Sequence, residues 1–187
     1  MTTLEGRPNA AVLVVDVQTA VVHNAHLRDL VVANIATLIT RARTHGVAVV
    51  WVQHSDDELL KGSRGWEIVD ELRPAPGEPI VEKSFNDSFE ETHLEDELAK
   101  RGVGKLFVTG AQTEWCVRST LHGAVARGYD TILVEDAHTT AEPDPGNGDI
   151  SAAQVIAHTN RYWCWHQAPH RECGITSTAE LDFADFS

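Results

Sequence analysis

An α/β fold, with a parallel sheet covered by helices on both faces, is predicted by three observations. Short apolar runs rich in Val and Ile alternate along the chain with segments of helical periodicity. The runs are apolar throughout rather than at every second residue, as in strands buried on both faces. Helical segments lie between them, which is what a right-handed crossover between parallel strands requires.

The first run, Ala11 to Val15, is a strand, and Asp16 closes it. Leu27, Leu30, Val31, Ile35, Leu38 and Ile39 then recur at helical spacing up to Gly46, a stop signal before the second strand at 47–52. Residues 54–79 hold Gly62, Gly65, Pro74, Pro76, Gly77 and Pro79, which predicts a long loop with one helical turn at 66–72. Such loops often cover substrates. A short strand, Pro79 to Glu82, precedes Lys83, and 90–101 has the charge density of a surface helix. The strand 105–109 leads through Gly110 into a helix at 114–127 that stops at Gly128, and 131–135 is another strand. Ile150 to Trp165 is the last predicted helix. Strand order is not contained in this pattern.

At 187 residues the chain suffices for one sizeable core and is short for two, so residues 1–187 are read as a single domain. Lys and Arg total 15 against 28 for Asp and Glu, and the net charge of −13 opposes phosphate backbones and anionic lipid. Neither nucleic acid nor membrane is an expected partner. Three irregularly spaced cysteines make no disulfide framework, and no leader-like or bilayer-length apolar stretch is present, so a soluble cytoplasmic protein is expected. The turn after the first strand lacks the glycines a dinucleotide or phosphate needs.

Asp16, Lys83 and Cys116 carry the chemistry. Each follows a predicted strand, and in a parallel sheet those ends share the edge where ligands bind. A thiol at the start of a helix faces unpaired N–H groups and the positive end of the dipole, which favour thiolate and can hold an oxyanion. Asp16 is placed to take the thiol proton and return one to a leaving group; Lys83 favours both anions.

Three motifs, Val15-Asp16-Val17-Gln18, Glu82-Lys83 before Ser84-Phe85-Asn86-Asp87-Ser88-Phe89, and Thr109-Gly110-Ala111-Gln112-Thr113-Glu114-Trp115-Cys116-Val117, together resemble the isochorismatase-like cysteine hydrolases. That family includes nicotinamidases and N-carbamoylsarcosine amidohydrolases. The resemblance covers most of the chain. It implies a three-layer α/β/α sandwich with a six-stranded, mainly parallel sheet, and a homo-oligomer, dimer or tetramer. It also implies Asp16 as general acid/base, Lys83 as supporting cation, Cys116 as nucleophile, a cis peptide between Ala111 and Gln112, and an oxyanion hole from the amides of Gln112 and Cys116. Members that cleave the vinyl ether of isochorismate lack this cysteine, so its presence implies a small-molecule amide, carbamoyl or ureido bond, opened through a thioester. The alternatives are a thiol sensor or binding protein on the same scaffold, and an ester or lactam hydrolase.

Trp66, Phe85, Phe89 and Trp115 are candidates to wall the substrate pocket, with core packing the competing role for each phenyl ring. Gln18 is a substrate-binding candidate whose alternative is a bond to nearby backbone. Asn86, Glu114 and His138 are weaker pocket candidates. Nicotinamidase relatives bind a divalent ion through Asp-x-His, whereas this chain reads His54-Ser55-Asp56-Asp57 with no further histidine until His93. No metal and no organic cofactor are therefore expected. Cys164, His166, His170 and Cys173 are zinc-competent, but their spacing matches no standard structural site.

Overall fold

The computed structural model describes residues 2–143 and 150–186. In chain order the elements are β1 (Asn9–Val15), α1 (Thr19–Val22), α2 (Arg28–Thr44), β2 (Ala48–His54), β3 (Ile80–Lys83), α3 (Leu94–Lys100) and β4 (Val103–Ala111). A π-helical turn at Thr113–Val117 comes next, then α4 (Arg118–Arg127), β5 (Asp130–Thr139), α5 (Ala152–Cys164), β6 (Cys173–Thr176) and a final 3-10 turn at Ala184–Phe186. The six strands form one sheet in the order β3-β2-β1-β4-β5-β6, and every ladder is parallel. This is the α/β sandwich expected. The turn expected at 66–72 is not helical; Ile68 bridges Gln18 instead, as an extended segment.

Residues of β1 alternate between two cores. Ala10, Val12 and Val14 face Val31, Ile35, Leu38 and Ile39 of α2, together with Phe183 near the C-terminus. Ala11, Leu13 and Val15 face Leu94 and Leu98 of α3, Leu121 and Ala124 of α4, and Trp163 of α5. The period of two thus fills both faces of the sheet, and β1 is 0–2% exposed from Ala10 to Val15. Helix α2 buries Val31, Val32, Ile35, Leu38, Ile39 and Ala42, a stripe at helical spacing. Helix α5 starts at a capping box in which Ser151 and Gln154 exchange side-chain and backbone bonds. No helix among the described residues is long and apolar enough to cross a membrane.

Strand order reverses between β1 and β4: β2 and β3 extend to one side of this pair, β5 and β6 to the other. Connections leave in opposite directions there, so a crevice opens beyond the carboxyl ends of β1 and β4. The two strands also approach closely at Gly110, which pairs with Val15 and has φ +112°. A Cβ there would overlap the Val15 carbonyl oxygen and lie 2.7 Å from Val15 N, so only glycine fits. We expect Gly110→Ala to lower stability by at least about 3 kcal/mol, from a disfavoured φ plus a backbone clash. Urea denaturation checks this; a midpoint within error of wild type would refute the tight approach.

Candidate active site

Asp16 is the residue immediately after β1, 1% exposed, with its backbone in the left-handed region at φ +50°. Non-glycine residues adopt this conformation at a cost of order 1 kcal/mol, and here it turns the carboxylate into the crevice. On the far side of the crevice, β4 ends in a cis peptide between Ala111 and Gln112. The Gln112 carbonyl accepts from the N–H groups of both Trp115 and Val117 at 3.1 Å, and the bond to Val117 makes the wide π turn. Cys116 lies in that turn. The expected helix at 114–127 is therefore two pieces, and the sulfur belongs to the π turn rather than to the first turn of α4.

Lys83 ends β3, the edge strand, with β2 between it and β1. At roughly 4.8 Å per strand its Cα stands about 10 Å from the line of β1, and only a long side chain reaches across the end of β2. It does so while 3% exposed. Lys83 Nζ lies 2.7 Å from Asp16 Oδ2 and 3.1 Å from Cys116 Sγ; the carbonyl of Phe85 at 3.1 Å and His54 Nδ1 at 3.2 Å are its other neighbours. Sulfur, carboxylate and ammonium from three distant stretches meet. Beyond the ion pair with Lys83, neither Asp16 oxygen receives a directed hydrogen bond among the described residues.

Burial raises the Asp16 carboxyl above its ordinary range, against the opposing pull of Lys83. Burial first, and the Asp16 charge second, push the Cys116 thiol up to about 12, although Lys83 pulls the other way. Burial and the Asp16 charge thus oppose the thiolate that Lys83 favours, and the Asp16 carboxyl beside the sulfur is placed to take its proton.

The crevice is a cavity of ≈ 490 Å³, and Asp16, Cys116, His54, Asn86, Gln112 and Trp115 are among its lining residues. Trp115 is 56% exposed along it. The other aromatic candidates lie elsewhere. Phe89 is 6% exposed in the core, its ring 5.6 Å from that of Tyr129 and under the Arg127 guanidinium. Phe85 is 49% exposed outside the cavity lining and contributes only its carbonyl, to Lys83. The Trp66 ring is also absent from the lining, and the carbonyl of Trp66 accepts from Gln18 and Gln53. Gln18 is fully buried: Nε2 donates to the carbonyls of His54 and Trp66 at 2.9 and 2.8 Å, and Oε1 accepts from His54 N at 2.8 Å. Its amide clasps the 54–66 loop to the end of β1 and has no capacity directed at a substrate.

Asn86 Oδ1 lies 4.0 Å from the sulfur. The loop carrying it is fastened to α4: the Ser88 hydroxyl and N–H meet Thr120 Oγ1 at 2.8 and 3.1 Å, and Asp87 pairs with Arg127 at 3.0 Å. Glu114 accepts from the Thr140 hydroxyl at 2.9 Å. Sequence reasoning missed Glu58, Leu59, Ala20 and Val21 as lining residues, and considered His54 and Asp56 only as metal ligands. No group of three or more His, Cys, Asp or Glu among the described residues is arranged to hold a metal ion. In the Cys164–Cys173 segment, Cys164 is exposed and His166 stacks on Trp163 with centroids 4.5 Å apart.

His138 is 1% exposed and lies outside the cavity lining. Asn160 Nδ2 donates to the Glu135 carbonyl, so its Oδ1 takes the proton on His138 Nε2 at 2.8 Å, leaving Nδ1 to accept from the Thr113 hydroxyl at 2.9 Å. A neutral ring thus pins the first residue of the π turn. Burial pushes this imidazole down to about 4, outweighing the Asn160 bond and the Asp136 charge. With the folded value below the unfolded one, the stabilisation is complete above pH 6.5 and is lost as pH falls toward 4. It amounts to about 3 kcal/mol. We expect urea stability to drop by that order between pH 7 and pH 4.5, and His138→Gln to flatten this part of the profile. An equally steep profile in the variant would exclude His138 as the source.

Residues 10–160 match the family model described as the isochorismatase domain. The chain belongs to the isochorismatase family. Among curated proteins, the chain is similar to a streptothricin hydrolase of Streptomyces noursei, 36% identical over 159 residues. The match covers 82% of this chain and 60% of that protein, so the chain spans less than two thirds of its relative's length. Among solved structures, a cysteine hydrolase from Pseudomonas syringae pv. phaseolicola superposes with a TM-score of 0.79 at 26% identity, covering 92% of this chain and 90% of that one. N-carbamoylsarcosine amidase from Thermoplasma acidophilum gives a TM-score of 0.73 at 26% identity, covering 92% and 98% respectively.

Proposed function

We propose that this isochorismatase-family chain hydrolyses a carbon–nitrogen bond of a small molecule, an amide, carbamoyl or ureido group, through a thioester on Cys116. The observation that carries the reading is the contact of Lys83 Nζ with both Asp16 at 2.7 Å and Cys116 Sγ at 3.1 Å beside a substrate-sized cavity. Family membership and relatives named for hydrolysis and for an amidase support it.

As the sulfur adds to the carbonyl carbon, Asp16 takes the thiol proton, so thiolate forms only while it is being consumed. The backbone N–H groups of Gln112 and Cys116 are assigned to the oxyanion, the interaction that typically contributes most to such reactions. When the carbon–nitrogen bond breaks, Asp16 returns its proton to the leaving nitrogen, which departs as neutral amine or ammonia. Asp16 then accepts a proton from water as the hydroxide oxygen adds to the thioester, and gives that proton to the departing sulfur. The raised Asp16 carboxyl suits a group that holds a proton midway through each half-reaction. A thiol sensor needs a reactive sulfur but has no evident need for an acid such as Asp16 to protonate a leaving amine.

The test is release of ammonia or amine from a panel of amides, carbamoyl amino acids and ureido compounds, with intact-mass analysis of quenched reactions. Turnover with an acyl increment on the Cys116 peptide is expected. Turnover with no adduct at any quench time, and none trapped by hydroxylamine, would remove the thioester.

A further inference from the structure

The cavity beside Cys116 has walls of one sign. Asp56 and Glu58 stand on its rim, and no lysine or arginine is among its lining residues. Lys83 lies outside that lining, its ammonium buried among Asp16, Cys116, the Phe85 carbonyl and His54, four acceptors for three protons. Asp56 is held ionised: Oδ1 accepts from the N–H groups of Leu59 at 2.7 Å and Glu58 at 2.9 Å, and Oδ2 meets His54 Nε2 at 3.1 Å. Those bonds keep its carboxyl below the usual range. The Glu58 carboxylate has no partner among the described residues. Asp16, 1% exposed and paired with Lys83 at 2.7 Å, lines the same cavity. The Trp115 indole, 56% exposed and adjacent in sequence to the nucleophile, lines the same cavity.

We infer that the substrate carries a positive charge outside the scissile bond, a primary ammonium or guanidinium, which Glu58, Asp56 and Trp115 select. This deepens the amide-hydrolase reading and rests on it. A carboxylated ligand would meet two negative rim groups with no counter-ion, whereas a cation gains both charges and the indole face. The acidic chain, at −13, adds a field of the same sign that concentrates cations at the mouth.

The test separates charge selection from turnover. Three bromoacetamides of matched size alkylate the protein: N-(2-aminoethyl), N-propyl and N-(2-carboxyethyl). In each, Cys116 sulfur displaces bromide as its proton passes to Asp16, and peptide mass analysis tracks the rate. Exposed Cys164 is the internal reference. At low salt the Cys116 rate, normalised to Cys164, is expected to fall about tenfold from cation to neutral and again to anion, and the spread should shrink at high salt. Glu58→Lys should reverse the order of cation and anion. Glu58 makes no side-chain bond among the described residues, so the substitution tests charge without touching the scaffold. Equal rates, an anion preference, or an unchanged order in Glu58→Lys would overturn the inference even if amides are hydrolysed. The expected order without hydrolysis of any amide would leave charge selection standing and sink the amide-hydrolase reading.

Discussion

Cys116→Ala is expected to reduce turnover by at least about 10⁴-fold, because a nucleophile acting as a unit with its base leaves little when removed. The fold should survive. Cys116 is only partly buried against the α4 face of the sheet, and deleting one sulfur there costs no more than about 1–2 kcal/mol. Amine release and a thermal melt on the same preparation check both halves. Near-wild-type turnover in a folded Cys116→Ala protein would dispose of covalent catalysis, whatever the three side chains look like.

Lys83→Met should be the most damaging single change at the site, since it removes both the activating charge and the ammonium paired with Asp16 at 2.7 Å. Breaking a buried ion pair from one side typically costs about 3–5 kcal/mol, because the remaining charge is stranded. Here that charge is an aspartate 1% exposed. Protonation relieves it, so with Asp16 already raised the variant's deficit should be smaller near pH 5 and larger near pH 8. Asp16→Asn combined with Lys83→Met leaves two neutral groups and should recover much of the lost stability without recovering activity. Urea denaturation of the four proteins at the two pH values forms the double-mutant cycle. A Lys83→Met penalty that persists in full in the Asp16→Asn background would mean that packing of the lysine stem, not pairing, is what was lost.

The frame of the molecule was legible because its signals are local and periodic. Runs such as Ala11 to Val15 and Lys105 to Thr109 are apolar on both faces, and the structure places them at the centre of the sheet. Strand β6, Cys173 to Thr176, was not, since four half-buried residues with a glycine among them carry no pattern. The π turn was equally hidden: Thr113 to Val117 continues the apolar spacing of α4, and only the double use of the Gln112 carbonyl and the buried Thr113–His138 bond distinguishes it. The positions of Asp16, Lys83 and Cys116 could be read because strand ends share an edge. The cavity walls could not, because Asp56, Glu58 and Leu59 belong to a loop whose course is set by the Asp56 and Gln18 bonds rather than by periodicity. Phe89 misled for the same reason. The loop after Lys83 turns its phenyl ring toward Tyr129 while leaving Asn86 near the sulfur.

The lysine sits on a four-residue strand at the outer margin of the sheet, where fraying begins in most proteins. Its downstream neighbours Asp87 and Ser88 rivet that margin to the very helix that continues from the sulfur. Margin and centre therefore open together or not at all. Thermal inactivation of this protein should coincide with cooperative melting, with no cooler phase in which an otherwise intact fold has lost its ammonium.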